Sequence, residues 1–174
     1  MATPAPTIRP GPPARRARLP LAALLLLALL AAALPAATPA RAAGCVVTRA
    51  ADGAAPGPAG SLRAALTDPG CDAITFALPG AGPWTIALAG PLPDIGRPLA
   101  VTGPGSAALT IQGNNTFPLL LVADRGTPGL VVALRGLTLT RGRAVSQHGG
   151  DLRITGGAVT LTDVALTNAT AAAG

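Results

Sequence analysis

Seven aspartates provide every side-chain carboxylate in this 174-residue chain, which has no glutamate and a single histidine, His148. Hydrolysis of a uronic-acid polymer needs two or three carboxylates on one face of the protein. No two aspartates lie within three residues of each other. Asp151 and Asp163 could occupy neighbouring turns, but solvent-exposed turn positions explain both more simply. His148 has no acid or nucleophile at a spacing that indicates a catalytic partner.

Metal-assisted chemistry finds little support in the residue pattern. A calcium-dependent lyase would need several aspartate oxygens at one site together with an arginine base. The two close pairs, Asp124–Arg125 and Asp151 with Arg153, are typical of surface corners. A zinc site needs more histidine and cysteine ligands than the chain offers. The sequence therefore predicts no catalytic, cofactor-binding or metal-binding residue, and an enzyme is the less favoured interpretation.

Two cysteines, Cys45 and Cys71, are the remaining residues whose chemistry depends on a partner. An even pair in an exported chain predicts a structural disulfide. Closing that loop would stabilise the fold by roughly 3–4 kcal/mol in the chain-entropy model. The disulfide would connect the first strand to the segment that enters the next one. Two free buried thiols are the alternative.

A short repeated sequence motif predicts the strands that position these residues. Its copies begin at Leu109, Leu137 and Val164, 28 and then 27 residues apart, and each alternates large apolar with small or polar residues. This alternation is typical of half-buried strands, and a near-constant step indicates stacked turns of one repeating unit. The predicted core positions are Leu109, Ile111, Leu137, Leu139, Val164 and Leu166.

Short strand candidates separated by glycines follow one another from residue 99 onward, and they predict an all-β, three-sided parallel β-helix of roughly three to four turns. Separate strands are expected at 130–134 and 137–139, and again at 158–161 and 164–166. Asn114-Asn115 is expected to begin a row of corner asparagines that hydrogen-bond from turn to turn. A β-sandwich is the competing fold, but its hairpins favour Asn-Gly or Asp-Gly turns, and neither dipeptide follows residue 99.

Residues 43–98 are predicted to form an N-terminal cap region that contains a strand, a short helix and the disulfide, and 99–174 to form the β-helix turns. A helix is expected over 60–66, where the Ser61 hydroxyl can accept a hydrogen bond from a backbone amide one turn ahead. The cap-helix residues of interest are Ser61, Leu62, Arg63 and Leu66.

Residues 1–42 are predicted to be an export signal, with a basic front, a Leu/Ala run at 19–34 and small residues before position 43. A membrane anchor is the alternative, although a spanning helix needs about 20 apolar residues. The twin-arginine route and lipid attachment at Cys45 are less favoured. Five of the 13 arginines lie in this segment, so the rest of the chain carries eight arginines against seven aspartates. That balance argues against a nucleic-acid partner, and no transmembrane span is expected after residue 42.

The segments at 45–48, 60–66 and 71–76 resemble the N-terminal region of exported right-handed parallel β-helix proteins of the CSLREA or choice-of-anchor type. Those proteins are pectin-lyase-like and are related to polymorphic outer-membrane proteins. Gly156-Gly157-Ala158-Val159 is similar to the Gly-Gly-Ala-Ile element of their repeats. The resemblance covers 45–174 and implies bacterial surface proteins with many turns. Because family members continue past the point where this chain stops, we expect a truncated chain with an open last turn.

The expected function is that of an exported, non-catalytic β-helix segment, secreted or at the bacterial cell surface, with an adhesive or structural role. Candidate partners are extracellular polysaccharides and cell-surface proteins, and the open end would need a partner or further turns. No cofactor is expected. One alternative is a fragment of a polysaccharide lyase or hydrolase whose active site lies in missing turns. The other is a truncated, non-functional remnant.

Overall fold

The computed structural model describes residues 44–144 and 149–171. Both ranges belong to one compact unit of the chain, which spans 41–174. The export signal predicted at 1–42 and the single histidine, His148, lie outside the described residues. The expectations for these positions therefore stay predictions.

Eleven strands and one short helix form the regular structure of the described residues. In chain order they are β1 (Gly44–Val47), α1 (Leu62–Thr67), β2 (Ala73–Phe76), β3 (Trp84–Ala87), β4 (Leu99–Thr102), β5 (Leu109–Gln112), β6 (Leu120–Val122), β7 (Val131–Thr140), β8 (Arg143–Ala144), β9 (Leu152–Ile154), β10 (Ala158–Thr167) and β11 (Thr170–Ala171).

Every strand pair is parallel, and the strands stack into a β-solenoid of about 5 turns. This confirms the predicted all-β solenoid class. The number of turns exceeds the expected three to four because β1, β2 and β3, which the sequence placed in a separate cap region, also form turns. Strands β2 and β3 pair with β4 and β5 across residue 98, so the two regions share their sheets.

Three faces surround the core. Face A contains β1, β2, β4 and the first halves of β7 and β10, at 131–135 and 158–162. Face B contains β3, β5 and the second halves of β7 and β10, at 137–140 and 164–167. Face C contains β6 and β9, and Ile95 of the preceding turn bridges to Val122.

Strands β7 and β10 each run around a corner from face A to face B. The sequence predicts two short strands around residue 136 and two more around residue 163. Both predictions are wrong in the number of strands, since each pair is one bent strand. The bend of β7 occurs at Gly136, whose φ is 63°. A Cβ there would lie 2.7 Å from the carbonyl oxygen of Gly103 in the preceding turn. Glycine is required at this corner both by the positive φ and by the close approach.

The core consists of inward-facing apolar side chains that lie directly above one another in successive turns. On face B, Ile86, Ile111 and Leu139 occupy one such row, and each is 1% exposed or less. Alternating side chains of a strand point to opposite faces, which is why the apolar–polar pattern of these segments matches their burial. On face A, the equivalent row contains Ile74, Val101 and Leu134.

Candidate functional site

A buried ion pair holds the N-terminal end of the solenoid together. The Arg63 guanidinium donates from Nε to Oδ1 of Asp52 at 2.9 Å and from Nη2 to Oδ2 at 2.6 Å. The two side chains are only 5% and 2% exposed. The same guanidinium also donates to the carbonyl oxygens of Pro91 and Gly90, at 2.6 and 2.7 Å. Helix α1, the loop before it and the segment after β3 are thereby linked through one side chain.

The carboxylate of Asp52 is held in its ionised form. Burial alone would raise its pKa, but hydrogen bonds from Arg63 and from the backbone N–H groups of Ala89 and Gly53 outweigh burial and lower the pKa below its ordinary value. A buried pair with this many partners is costly to break, because removing one member leaves the other charge without compensation. Sequence analysis missed Asp52. The available signal was an arginine next to the apolar face of a short helix, which requires a carboxylate partner.

Side chains form hydrogen bonds with backbone groups at both ends of helix α1. The Ser61 hydroxyl accepts a hydrogen bond from the Ala64 amide at 3.2 Å, as predicted for an N-cap. At the other end, Arg97 donates to the carbonyl oxygens of Cys71, Asp68 and Leu66, two of which lie at the end of the helix or just after it. The predicted cap-helix residues Leu62, Arg63 and Leu66 are all buried.

The predicted disulfide is present between Cys45 and Cys71, with their Cα atoms 5.5 Å apart. It connects β1 to the segment that precedes β2. The Asp68 carboxylate lies near both sulfurs, since the potential ligand atoms of the three residues fall within 4.8 Å of one another. The sulfurs are bonded to each other and therefore do not act as thiolate ligands, so this group is structural in the oxidised protein.

At the corner between faces A and B, Asp163 links turns that are not adjacent in the stack. Its carboxylate accepts hydrogen bonds from the Ser106 amide at 3.0 Å and the Ser106 hydroxyl at 2.5 Å. Gly136 occupies the same corner in the turn between them and has no side chain to block the contact. The bonds from Ser106 lower the pKa of Asp163, which is an exposed residue as expected for a turn position.

Asp151 is buried, whereas the sequence predicts a solvent-exposed turn residue at this position. It is 2% exposed, and its Oδ1 accepts a hydrogen bond of 2.6 Å from the Gly142 amide. Oδ2 is buried and has no hydrogen-bond partner. Burial raises the pKa of Asp151, and hydrogen bonds from the N–H groups of Gly142 and Thr167 only partly offset that effect. The prediction failed because the glycine-lined corner at 142 and 150 packs closely over this side chain.

The corner between faces B and C contains several residues with a left-handed backbone rather than an asparagine ladder. Asn114, Arg141 and Asn168 each have a φ of 56°. Arg141 interrupts the expected asparagine row. Asn168 instead approaches the hydroxyl of Thr140 at 3.5 Å, while Asn114 accepts a hydrogen bond from the neighbouring Gln112 side chain.

The carboxylates of the described residues are distributed among separate loops and corners. Asp68 accepts a hydrogen bond from the Gly70 amide, and Asp124 accepts from the Gly126 and Thr127 amides, which shape their own turns. Arg125 pairs with Asp94 of the preceding turn rather than with its sequence neighbour. Asp151 and Asp163, which could have met on neighbouring turns, are engaged at different corners.

One aspartate, Asp72, has no such role and borders an open apolar hollow of about 450 Å³ on the outer side of face A. The hollow is lined by Asp72, Pro98, Leu99, Ala100, Val131 and Ala133. It can accept an apolar or neutral group with a carboxylate at its rim.

The predicted core residues are not equally buried. Leu109, Ile111, Leu137 and Leu139 are each 1% exposed or less. Val164 is half-buried. Leu166 is 47% exposed, so its prediction as a buried core residue is corrected. It has the same local pattern as Leu139, but among the described residues no turn packs against the free side of β10.

Among the described residues, no helix has the length and apolar character needed to cross a membrane. Comparisons with protein-family models, curated proteins and solved structures find no match. The resemblance to CSLREA-type proteins therefore rests on the sequence alone, at 45–48, 60–66, 71–76, 95–105, 109–114 and the Gly-Gly-Ala element.

Proposed function

We propose that this chain is an exported, non-catalytic β-helix segment that serves as a structural or adhesive element of a bacterial envelope. The proposal includes cleavage of residues 1–42, right-handed winding and a pectin-lyase-like architecture. Right-handed winding is the general preference of parallel strands joined by crossover connections. Extracellular polysaccharides and cell-surface proteins are the proposed partners.

This proposal rests on the observation that the charged side chains hold the structure together. Every aspartate except Asp72 accepts a hydrogen bond that holds a turn, a corner or an arginine in place. Arg63 and Arg97 are likewise engaged by backbone oxygens. Charges used in this way favour a scaffold over a reacting centre, because catalytic carboxylates must converge on one bond of a substrate.

The outer side of face A suits extended contact with a neutral partner. Its register brings Ala73, Ala100 and Ala133 into one row, and Thr75, Thr102 and Arg135 into the next. The alanine and threonine side chains are small, and a polymer or another protein can lie along them beside the single arginine.

Localisation is tested by expressing the full chain in a bacterial host and treating intact cells with protease. We expect cleavage of surface-exposed protein and a mature N-terminus near residue 43. The matched control carries two arginines within the Leu/Ala run at 19–34, which should retain the chain inside the cell. Equal intracellular retention of both forms would contradict export.

A polysaccharide lyase or hydrolase is the second candidate, and the hollow beside Asp72 is the observation that favours it. Turnover is measured on a panel of uronic-acid polymers with the wild type, Asp72→Asn and the control Asp124→Asn. The structural proposal predicts no saturable turnover by any of the three. Saturable turnover that Asp72→Asn abolishes and Asp124→Asn retains would overturn it.

A further inference from the structure

We propose that Asp68 determines which thiols open the Cys45–Cys71 disulfide, and that opening begins at the sulfur of Cys45. Small thiols without a negative charge are the chemical class that the site admits, and anionic thiols are the class that it disfavours. This inference goes beyond the proposed envelope function and does not depend on it. It rests on the unequal burial of the two cysteines, on the position of the Asp68 carboxylate and on a cavity beside them.

The two cysteines differ in their access to solvent. Cys71 is 1% exposed, whereas Cys45 is only partly buried. A cavity of about 280 Å³ borders both cysteines, and its lining also includes Asp68, Ser61 and Ala64. Thiol–disulfide exchange requires the attacking thiolate to reach one of the two sulfurs directly. We therefore expect the attack at Cys45, with this cavity as the route to it.

The Asp68 carboxylate places a negative charge beside the disulfide. One of its oxygens and the two sulfurs lie within 4.8 Å of one another. A hydrogen bond of 2.8 Å from the Gly70 amide holds the carboxylate in its turn. Arg97 donates to the carbonyl oxygens of Asp68 and Cys71, and among the described residues the Asp68 carboxylate forms no salt bridge. No paired cation therefore neutralises its charge beside the sulfurs.

The exchange reaction develops negative charge close to this carboxylate. The attacking thiolate forms a bond to Cys45 Sγ, the bond between the two Sγ atoms breaks, and its electron pair leaves on Cys71 Sγ, which takes a proton from water. A second thiol then releases Cys45 from the mixed disulfide and completes the reduction. Burial and a neighbouring like charge both disfavour the thiolate that forms at Cys71.

The charge of the attacking thiol decides how strongly Asp68 opposes it. Every thiolate brings one negative charge toward the carboxylate, and an anionic thiol brings a second. A cationic group on the thiol instead attracts the carboxylate and offsets part of the repulsion. Like charges a few ångströms apart repel each other even in water. Asp68 should therefore slow an anionic thiol most and a cationic thiol least.

The test measures the rate of disulfide reduction in the folded full chain with cysteamine, mercaptoethanol and mercaptoethanesulfonate. These thiols share a two-carbon frame and carry a positive, a neutral and a negative group. Asp68→Asn should accelerate mercaptoethanesulfonate by roughly threefold to tenfold and cysteamine least. Each variant is compared with wild type for the same thiol, so differences in thiol acidity cancel. The amide oxygen of asparagine can still accept the hydrogen bond from Gly70.

Asp72→Asn is the matched control, because Asp72 adjoins Cys71 in sequence and is exposed but does not belong to the group around the sulfurs. It should leave all three rates within about twofold of wild type. In wild type, an ionic strength of about 1 M should narrow the difference between the anionic and cationic thiols, because salt screens charges beyond about 3 Å. Far-ultraviolet circular dichroism establishes that the variants keep the strand content of wild type.

The site of attack is read from the mixed disulfide, which acid quenching traps because the thiolate is the nucleophile. Peptide mass spectrometry should find the thiol attached to Cys45. Attachment to Cys71, a wild type that none of the thiols reduces, or the same loss of discrimination in Asp72→Asn would each overturn the proposal. Equal acceleration of the three thiols by Asp68→Asn would also overturn it, since that result would mean that the substitution only loosens the turn.

Discussion

The first and the last described turns of the solenoid differ in how their core residues are held. At the N-terminal end, Leu62 and Leu66 of helix α1 are buried in the core, and the disulfide and the buried Arg63–Asp52 pair link the first segments of the chain. At the other end, β10 repeats the residue pattern of β7, yet Leu166 is 47% exposed where Leu139 is fully buried. The inner row of a turn is therefore buried by the turn that follows it.

Removing the arginine of the N-terminal ion pair should have the largest effect on stability. Arg63→Ala leaves the Asp52 carboxylate buried without its cation and two carbonyl oxygens without a donor, so the free energy of unfolding should fall by about 3–5 kcal/mol. Urea denaturation measures this change. Arg135→Ala, an exposed arginine on face A, is the control and should change stability by less than about 0.5 kcal/mol. Equal stability of the two variants would contradict the role of the pair.

Loss of the disulfide should weaken the same end. Replacing both Cys45 and Cys71 by serine opens a loop whose ends are 26 residues apart, and the chain-entropy model gives a loss of roughly 3–4 kcal/mol. Thermal unfolding of the double variant, compared with wild type under oxidising and reducing conditions, measures the effect. If reduction lowered the melting temperature of both proteins equally, the disulfide would not be responsible.

A matched pair of leucine substitutions compares an interior turn with the last described turn. Leu139→Ala creates a cavity in the core and should reduce stability by about 3 kcal/mol. Leu166→Ala, one turn later in the same row, should cost less than about 1 kcal/mol, because nearly half of the side chain is already exposed. Urea denaturation measures both losses. Similar losses for the two leucines would mean that Leu166 is as well packed as Leu139.

Changes in the pH dependence of stability should be the smallest effects. The substitutions Asp151→Asn and Asp163→Asn, at two different corners, should change it in opposite directions. The pKa of Asp151 is raised above its ordinary value of 3.8, so the folded state binds more protons and the residue's contribution falls as the pH rises through its folded-state pKa. Asp151→Asn should therefore gain stability relative to wild type with rising pH.

The comparison variant is Asp163→Asn at the other corner. The pKa of Asp163 is lowered, so its contribution is present above its unfolded-state pKa and is lost as the pH falls through the folded-state value. The stability of Asp163→Asn relative to wild type should therefore increase as the pH falls. Stability curves that run parallel to wild type for both variants would show that neither carboxylate has a perturbed pKa.

The parts of the fold that local pattern determines could be predicted from the sequence. Alternation around Leu109 and Ile111 directly reports which side chains face inward, and Ser61 before an apolar helix face predicts the N-cap. The N-terminal ion pair could not be predicted from local pattern. Asp52 and Arg63 are separated by a loop rich in glycine and proline, and their approach depends on the path of that loop.

The remaining differences have a common physical origin. Leu139 and Leu166 have similar neighbours in sequence, so no local pattern distinguishes the buried residue from the exposed one. Asp151 resembles a turn residue until Gly142 of the preceding corner packs against it. In both cases burial depends on residues beyond the immediate sequence neighbours, which the residues flanking each position do not encode.

Hydrogen exchange at the two ends tests the central claim most directly. The amides that bond β10 to β7 should exchange much faster than those that bond β1 to β2, because the exposed side chains of the last described turn let it open at low free energy. Equal protection of the two strand pairs would contradict the account in which burial of a turn depends on the turn that follows it.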